Sequence, residues 1–195
     1  MSAPEGPFCS AFDHHRLIAS GLLSEVVRAA KLALDAGAHE PLLIFDNASS
    51  RQIEIDFRGT LDAVLARLPP GQQPATVNRG PGRPKLGVVA REVTLLPRHW
   101  DWLGQQPGGA SAILRRLVEQ AARSDAPKQH ARLAMEAVDR FMQTMTGDFS
   151  GHEEASRAFY RGEQERFASL IATWPVDVRT HLSRLVRTAW DANTG

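Results

Sequence analysis

Arg91-Glu92-Val93-Thr94-Leu95-Leu96-Pro97, followed by Trp100 and Leu103, Gly108-Gly109 and then Ser111-Ala112-Ile113-Leu114-Arg115-Arg116-Leu117-Val118, is the stretch on which the reading of this chain turns. Val93 and Leu95 alternate with Glu92, Thr94 and Leu96, the period of two expected of a short strand with one apolar face. Pro97 suits the first position of a helix, where its missing N–H costs little. Trp100 and Leu103 fall one turn apart on that helix, and Gly108-Gly109 ends it. Ser111 is a candidate N-cap for a second helix, with Ile113, Leu114, Leu117, Val118 and Ala121 as its apolar stripe and Arg115, Arg116 and Arg123 facing outward. A single strand of this length is not stable alone, so the pattern requires a second copy of the chain to pair with it.

Upstream, residues 69–84 hold five prolines and three glycines with no apolar period, which predicts an exposed, semi-extended linker. Residues 1–68 read as a small ββαββα domain. Residues 8–12 and 16–19 flank the polar turn Asp13-His14-His15, and Val26, Val27, Ala30 and Leu34 recur at helical spacing after Ser24, a candidate cap, and before Gly37. Leu42 to Phe45 is a continuous apolar strand, Asp46 to Ser50 is turn chemistry, and Ile53, Ile55 and Phe57 alternate with Glu54, Asp56 and Arg58 as a second half-buried strand. Thr60 caps a helix carrying Leu61, Val64, Leu65 and Leu68, which Pro69-Pro70 ends. Residues 85–124 form the central strand-helix-helix unit, and residues 125–195 a helical region. There Leu133, Met135, Val138, Phe141, Met142 and Met145 make one helical face, residues 155–173 make another helix, and Pro175 starts the last. The fold class expected is α+β.

Among 195 residues, 43% are hydrophobic, enough for one ordinary domain or two small ones. No apolar run reaches 18 residues and the first ten residues lack a basic and apolar leader, so a soluble cytoplasmic protein without membrane contact is expected. The lone Cys9 cannot form an internal disulfide and reads as a small buried hydrophobe. A net charge of +1 conceals a division along the chain. Residues 1–78 carry −3 and residues 125–195 carry −1, whereas residues 79–124 carry +5. Only three of the 23 basic residues are lysines, an arginine bias that a GC-rich genome also produces.

The central run resembles the ribbon-helix-helix family, in which two protomers pair their strands into an antiparallel ribbon that enters the DNA major groove. That resemblance implies that Glu92 and Thr94, with Ala90, face the bases and that Gly109, Ala110 and Ser111 meet a phosphate, with Arg91 and Arg115 as further DNA-contacting residues. It implies a dimer core of Val93, Leu95, Leu114, Leu117 and Val118. Glu92 departs from the family pattern, because a carboxylate near phosphates is unfavourable unless it accepts from a cytosine amine. Arg79-Gly80-Pro81-Gly82-Arg83-Pro84-Lys85 resembles an AT-hook, with Arg79, Arg83 and Lys85 as its cations; a solvated spacer is the commoner origin of such a run. Over its whole length the chain also resembles a family of bacterial proteins known only as a domain of unknown function. The stretches that carry this are Leu43 to Asp46, Arg51-Gln52-Ile53 and, above all, Gly82 to Leu103. It implies a bacterial source and a shared architecture, and supplies no activity.

Other candidates have plainer readings. His14 and His15 point apart on a turn and lack a third metal ligand; His152-Glu153-Glu154 reads as an acidic first helical turn. Trp100 reads as core through its pairing with Leu103, leaving Trp102 as the better exposed stacking residue. No phosphate loop, nucleophile elbow or dinucleotide fingerprint is present, and no cofactor or metal site is expected. Three functions remain open: a dimeric DNA-binding regulator of transcription, a dimeric scaffold or partner-binding protein whose ribbon unit only oligomerises, and an enzyme or ligand-binding protein using the N-terminal domain. No small-molecule effector is legible.

Overall fold

Both faces of the first strand are apolar or satisfied, which fixes how the sheet is used. In the computed structural model, which describes residues 8–38, 42–69 and 91–194, β1 spans Phe8–Asp13 and buries Cys9, Ser10, Ala11 and Phe12 in succession. That is the mark of a central strand covered on both sides. β2, Arg16–Leu22, and β3, Leu42–Asp46, flank it antiparallel in the order β2-β1-β3, with a register shift between Ala11 and Phe12. Between the edge strands lies α1, Leu23–Asp35, and after β3 comes α2, Leu61–Ala66. Further helices are α3, Pro97–Gly104; α4, Gly109–Met145; α5, His152–Tyr160; α6, Gln164–Leu170; and α7, Val176–Thr194. The chain is α+β.

The described residues fall into two compact units, one within Met1–Thr76 and Lys128–Gly195, the other within Val77–Pro127. In the first, the strand alternation divides the side chains between two cores. Cys9, Ala11 and Ile44 join Val26, Val27 and Ala30 of α1 and Val64 and Leu65 of α2. Phe12 and Phe45 join Phe141 of α4, Phe159 of α5, Phe167 of α6 and Val178, Leu182 and Val186 of α7. The reading by residues separated 1–68 from 125–195; the structure gives them this shared core because the second sheet face is too apolar to stand in water. Ser10, buried on that face, bonds Asn47 Oδ1 at 2.7 Å and Ser20 Oγ at 2.9 Å, so its hydroxyl is satisfied. Burial, with the Asp46 carboxylate nearby, pushes the Cys9 thiol up to about 11, well away from nucleophilic use.

Several local expectations need correction. Ile53, Ile55 and Phe57 are half-buried and alternate with exposed Glu54, Asp56 and Arg58, yet the segment forms no strand beyond a bridge from Gln52 to Phe45. Arg67 donates to the carbonyls of Asp56 and Arg58, taking acceptors a ladder would use. The cap of α1 is Leu22, whose N–H donates to Glu25 Oε2 at 3.3 Å, and Ser24 lies inside the first turn. Residues 155–173 are two helices, because Gly162 adopts φ +70 and breaks the run. The helices expected around residues 113–121 and 133–145 are one, α4, with Pro127 inside it. No glycine lies between residues 124 and 132, and Pro127 alone does not stop the helix. Gly37 does take positive φ after α1, and Thr60 Oγ1 accepts from Ala63 N–H at 3.4 Å at the start of α2.

Candidate nucleic-acid interface

Among the described residues of the unit within Val77–Pro127, little apolar surface is buried. α3 begins with Pro97 at its first position and contributes one buried side chain, Leu103; the start of α4 contributes Ile113. Between them Gly108 and Gly109 adopt φ +93 and +77, a reversal that L side chains resist, and a Cβ at Gly108 would already touch Ala112. α4 therefore starts at Gly109, and Ser111 sits in its first turn instead of capping it.

Among the described residues of this unit, most other large apolar side chains are open. Val93 is 54% exposed, Leu96 50%, Trp100 44%, Trp102 48% and Val118 65%, with Leu117 also exposed. Exposed apolar side chains clustered in this way are the material from which contact surfaces are built. Of the expected dimer core, Val93, Leu117 and Val118 are exposed, and Leu95 and Leu114 are half-buried. Residues 91–96 carry no ladder in the single chain, so the strand expected there is absent, while Leu96 has extended backbone at φ −66 and ψ 149. The expectation that Trp100 is core is corrected: an eight-residue helix with one inward side chain leaves both tryptophans outside. Leu96 was missed because alternation assigned it to the polar strand face.

Arg91, Glu92 and Thr94 are exposed on the lead-in to α3, and Gly109, Ala110 and Ser111 form the first residues of α4. The structure brings Arg115 to that end of the helix, where its Nε donates to the Ser111 carbonyl at 3.2 Å. Among the described residues, none of Arg91, Arg98, Arg115, Arg116 and Arg123 has an ion-pair partner. Solvated guanidiniums of this kind suit phosphate oxygens, and helix N–H groups add a partial positive charge. Arg79, Arg83 and Lys85 lie outside the described residues, as does Ala90. Elsewhere, His14 is exposed at φ +53 in the β1–β2 turn, His15 packs edge-on against Phe149 at 4.8 Å, and His152 to Glu154 form the first turn of α5. Among the described residues no helix is long and apolar enough to cross a membrane.

The sequence profile of a family described as an uncharacterized protein conserved in bacteria, DUF2239, matches residues 8–186. The chain belongs to that family. No curated protein and no solved structure matches it.

Proposed function

We propose that this protein is a dimeric DNA-binding protein acting in transcriptional regulation, with residues 91–123 as its pairing and contact unit. One observation carries the reading: an extended lead-in and two short apolar surfaces, all exposed, lie beside arginines that no carboxylate neutralises among the described residues. Pairing two copies would give Val93 a partner strand and cover Leu117 and Val118. It would also gather the arginines of both copies on one assembly, where phosphate contact and counterion release supply affinity. The linker cations Arg79, Arg83 and Lys85 would extend that contact. A gel-shift series with A·T-rich and random duplexes at two salt concentrations tests the reading; retention of neither duplex at low salt overturns it.

A second reading has its own support. Five exposed acidic or hydroxylic residues, Glu92, Thr94, Asp101, Ser111 and Glu119, interrupt the basic ones, and the apolar exposure alone suits a protein partner. On that reading the unit only assembles copies of the chain. Sedimentation of a dimer that retains no duplex favours it.

A further inference from the structure

A cleft of about 550 Å³ opens in the first unit. Its walls are the loop after β3, with Asn47, Ser49 and Arg51; α4, with His130, Glu136 and Arg140; and α7, with Arg184 and Thr188. Its floor is apolar, formed by Leu133, Ala134, Ala137 and Leu185. Three guanidiniums and an imidazole thus face one carboxylate. Glu136 is itself engaged, by Arg132 Nη1 at 2.6 Å, and among the described residues none of Arg51, Arg140 and Arg184 forms an ion pair.

Two of these arginines are held in place at one edge, leaving the rest of each guanidinium for a ligand. Arg140 donates to the Ser49 carbonyl, which fixes both helix and loop. Arg184 Nη2 lies 3.3 Å from Nδ1 of His181, a buried ring that stacks 4.6 Å from Phe141. Burial first, and Arg184 second, hold His181 neutral, so Nδ1 accepts from the guanidinium. The loop is equally fixed. Asp46 Oδ1 accepts from Ala48 N–H, Ser49 N–H and Ser49 Oγ, and Asp46 N–H donates to the Arg51 carbonyl. Between Ser49 and Arg51, Ser50 is fully buried at φ +51 with no partner for its hydroxyl. Backbone held in that region outside glycine is a recurrent feature of ligand clamps.

We infer that this cleft binds a small organic oxyanion, a phosphate monoester on an apolar body. The arginines would take the phosphate oxygens in paired hydrogen bonds, Asn47, Ser49 and Thr188 would add polar contacts, and Leu133 and Leu185 would cover the apolar part. The cleft has the volume of ordinary small-molecule sites, with the few placed polar groups and apolar lining that such sites share.

The test uses the full chain and phenyl phosphate, with calorimetric titration and thermal melts. Saturable binding at one site per chain, with a raised melting temperature, is expected. Arg51→Gln with Arg184→Gln should weaken binding by about a hundredfold, since each charge-assisted bond is worth about a factor of ten. Both are exposed side chains, and far-ultraviolet circular dichroism of the unliganded variant checks that the fold is kept. Arg157→Gln, a control on α5, should bind as the parent does. Absence of saturable binding, or an equal loss in the control, overturns the inference. So does loss of duplex DNA retention in the Arg51/Arg184 variant, which would make the cleft a nucleic-acid contact.

Discussion

The ring of Phe12, on the central strand, lies 5.9 Å from the ring of Phe141, in the second half of α4. Phe45 and His181 close the same group, at 5.3 and 4.6 Å from Phe141. Residues more than a hundred positions apart therefore form one aromatic core. Phe141→Ala should destabilise the first unit by about 3–5 kcal/mol, the cost of a large cavity in a fixed core. Urea unfolding followed by far-ultraviolet circular dichroism measures it, and a loss under about 1 kcal/mol would mean that the ring is not central to the core.

His181 gives the unit a dependence on pH. Its folded value is lowered from 6.5 to about 4, by burial first and Arg184 second, so the unfolded chain binds the proton more readily. Stability contributed by the neutral ring is complete above about pH 6.5 and falls as pH drops toward 4, by about 1.4 kcal/mol per pH unit within that window. Urea midpoints at pH 7.5, 6 and 5 test this against His181→Leu, whose curve should be flatter.

Light scattering at micromolar concentration should give twice the chain mass. Val118→Asp, at an apolar position of α4 that is 65% exposed, should shift the protein toward monomer without changing its helix content, because a carboxylate buried in a pairing surface is costly while the single chain tolerates it. A monomeric parent, or a dimer indifferent to both Val118→Asp and Val93→Asp, would rule out pairing through this unit.

Arg83→Ala with Lys85→Ala should lower duplex affinity and reduce the slope of log K against log salt by about two, one for each lost phosphate contact. An unchanged slope would make residues 69–84 a spacer. Removing the carboxylate in Glu92→Ala should strengthen binding if the lead-in to α3 meets phosphates, and should be silent if it only assembles the chain.

Much of the architecture is legible in the residues because it depends on local chemistry. The short apolar run of β1, Thr60 at the start of α2, Pro97 at the start of α3 and Gly37 after α1 all act within a few positions of themselves. The errors arise where a distant group decides. Arg67 removes acceptors from residues 56–58, and the sheet's second face is claimed by helices from the other end of the chain. The lead-in at 91–96 has the period of a strand but no neighbour to pair with in a single chain. The basic cleft was invisible for the same reason: Arg51, Arg140 and Arg184 share no motif, and only the packing of α4 and α7 against the loop after β3 brings them together.

The four tryptophans divide evenly between the units. Trp174 is buried and donates to the Ser150 carbonyl at 3.0 Å, and Trp190 is half-buried and donates to the Phe159 carbonyl at 3.1 Å. Trp100 and Trp102 stand in solvent on α3. The protein thus carries two optical channels without any label. Iodide should quench the α3 pair more strongly than the other, so a duplex or second chain that covers α3 would be seen as protection from the quencher. Emission from Trp174 and Trp190 would report separately on whether the aromatic core is intact, letting one cuvette distinguish a variant that no longer binds from one that no longer folds.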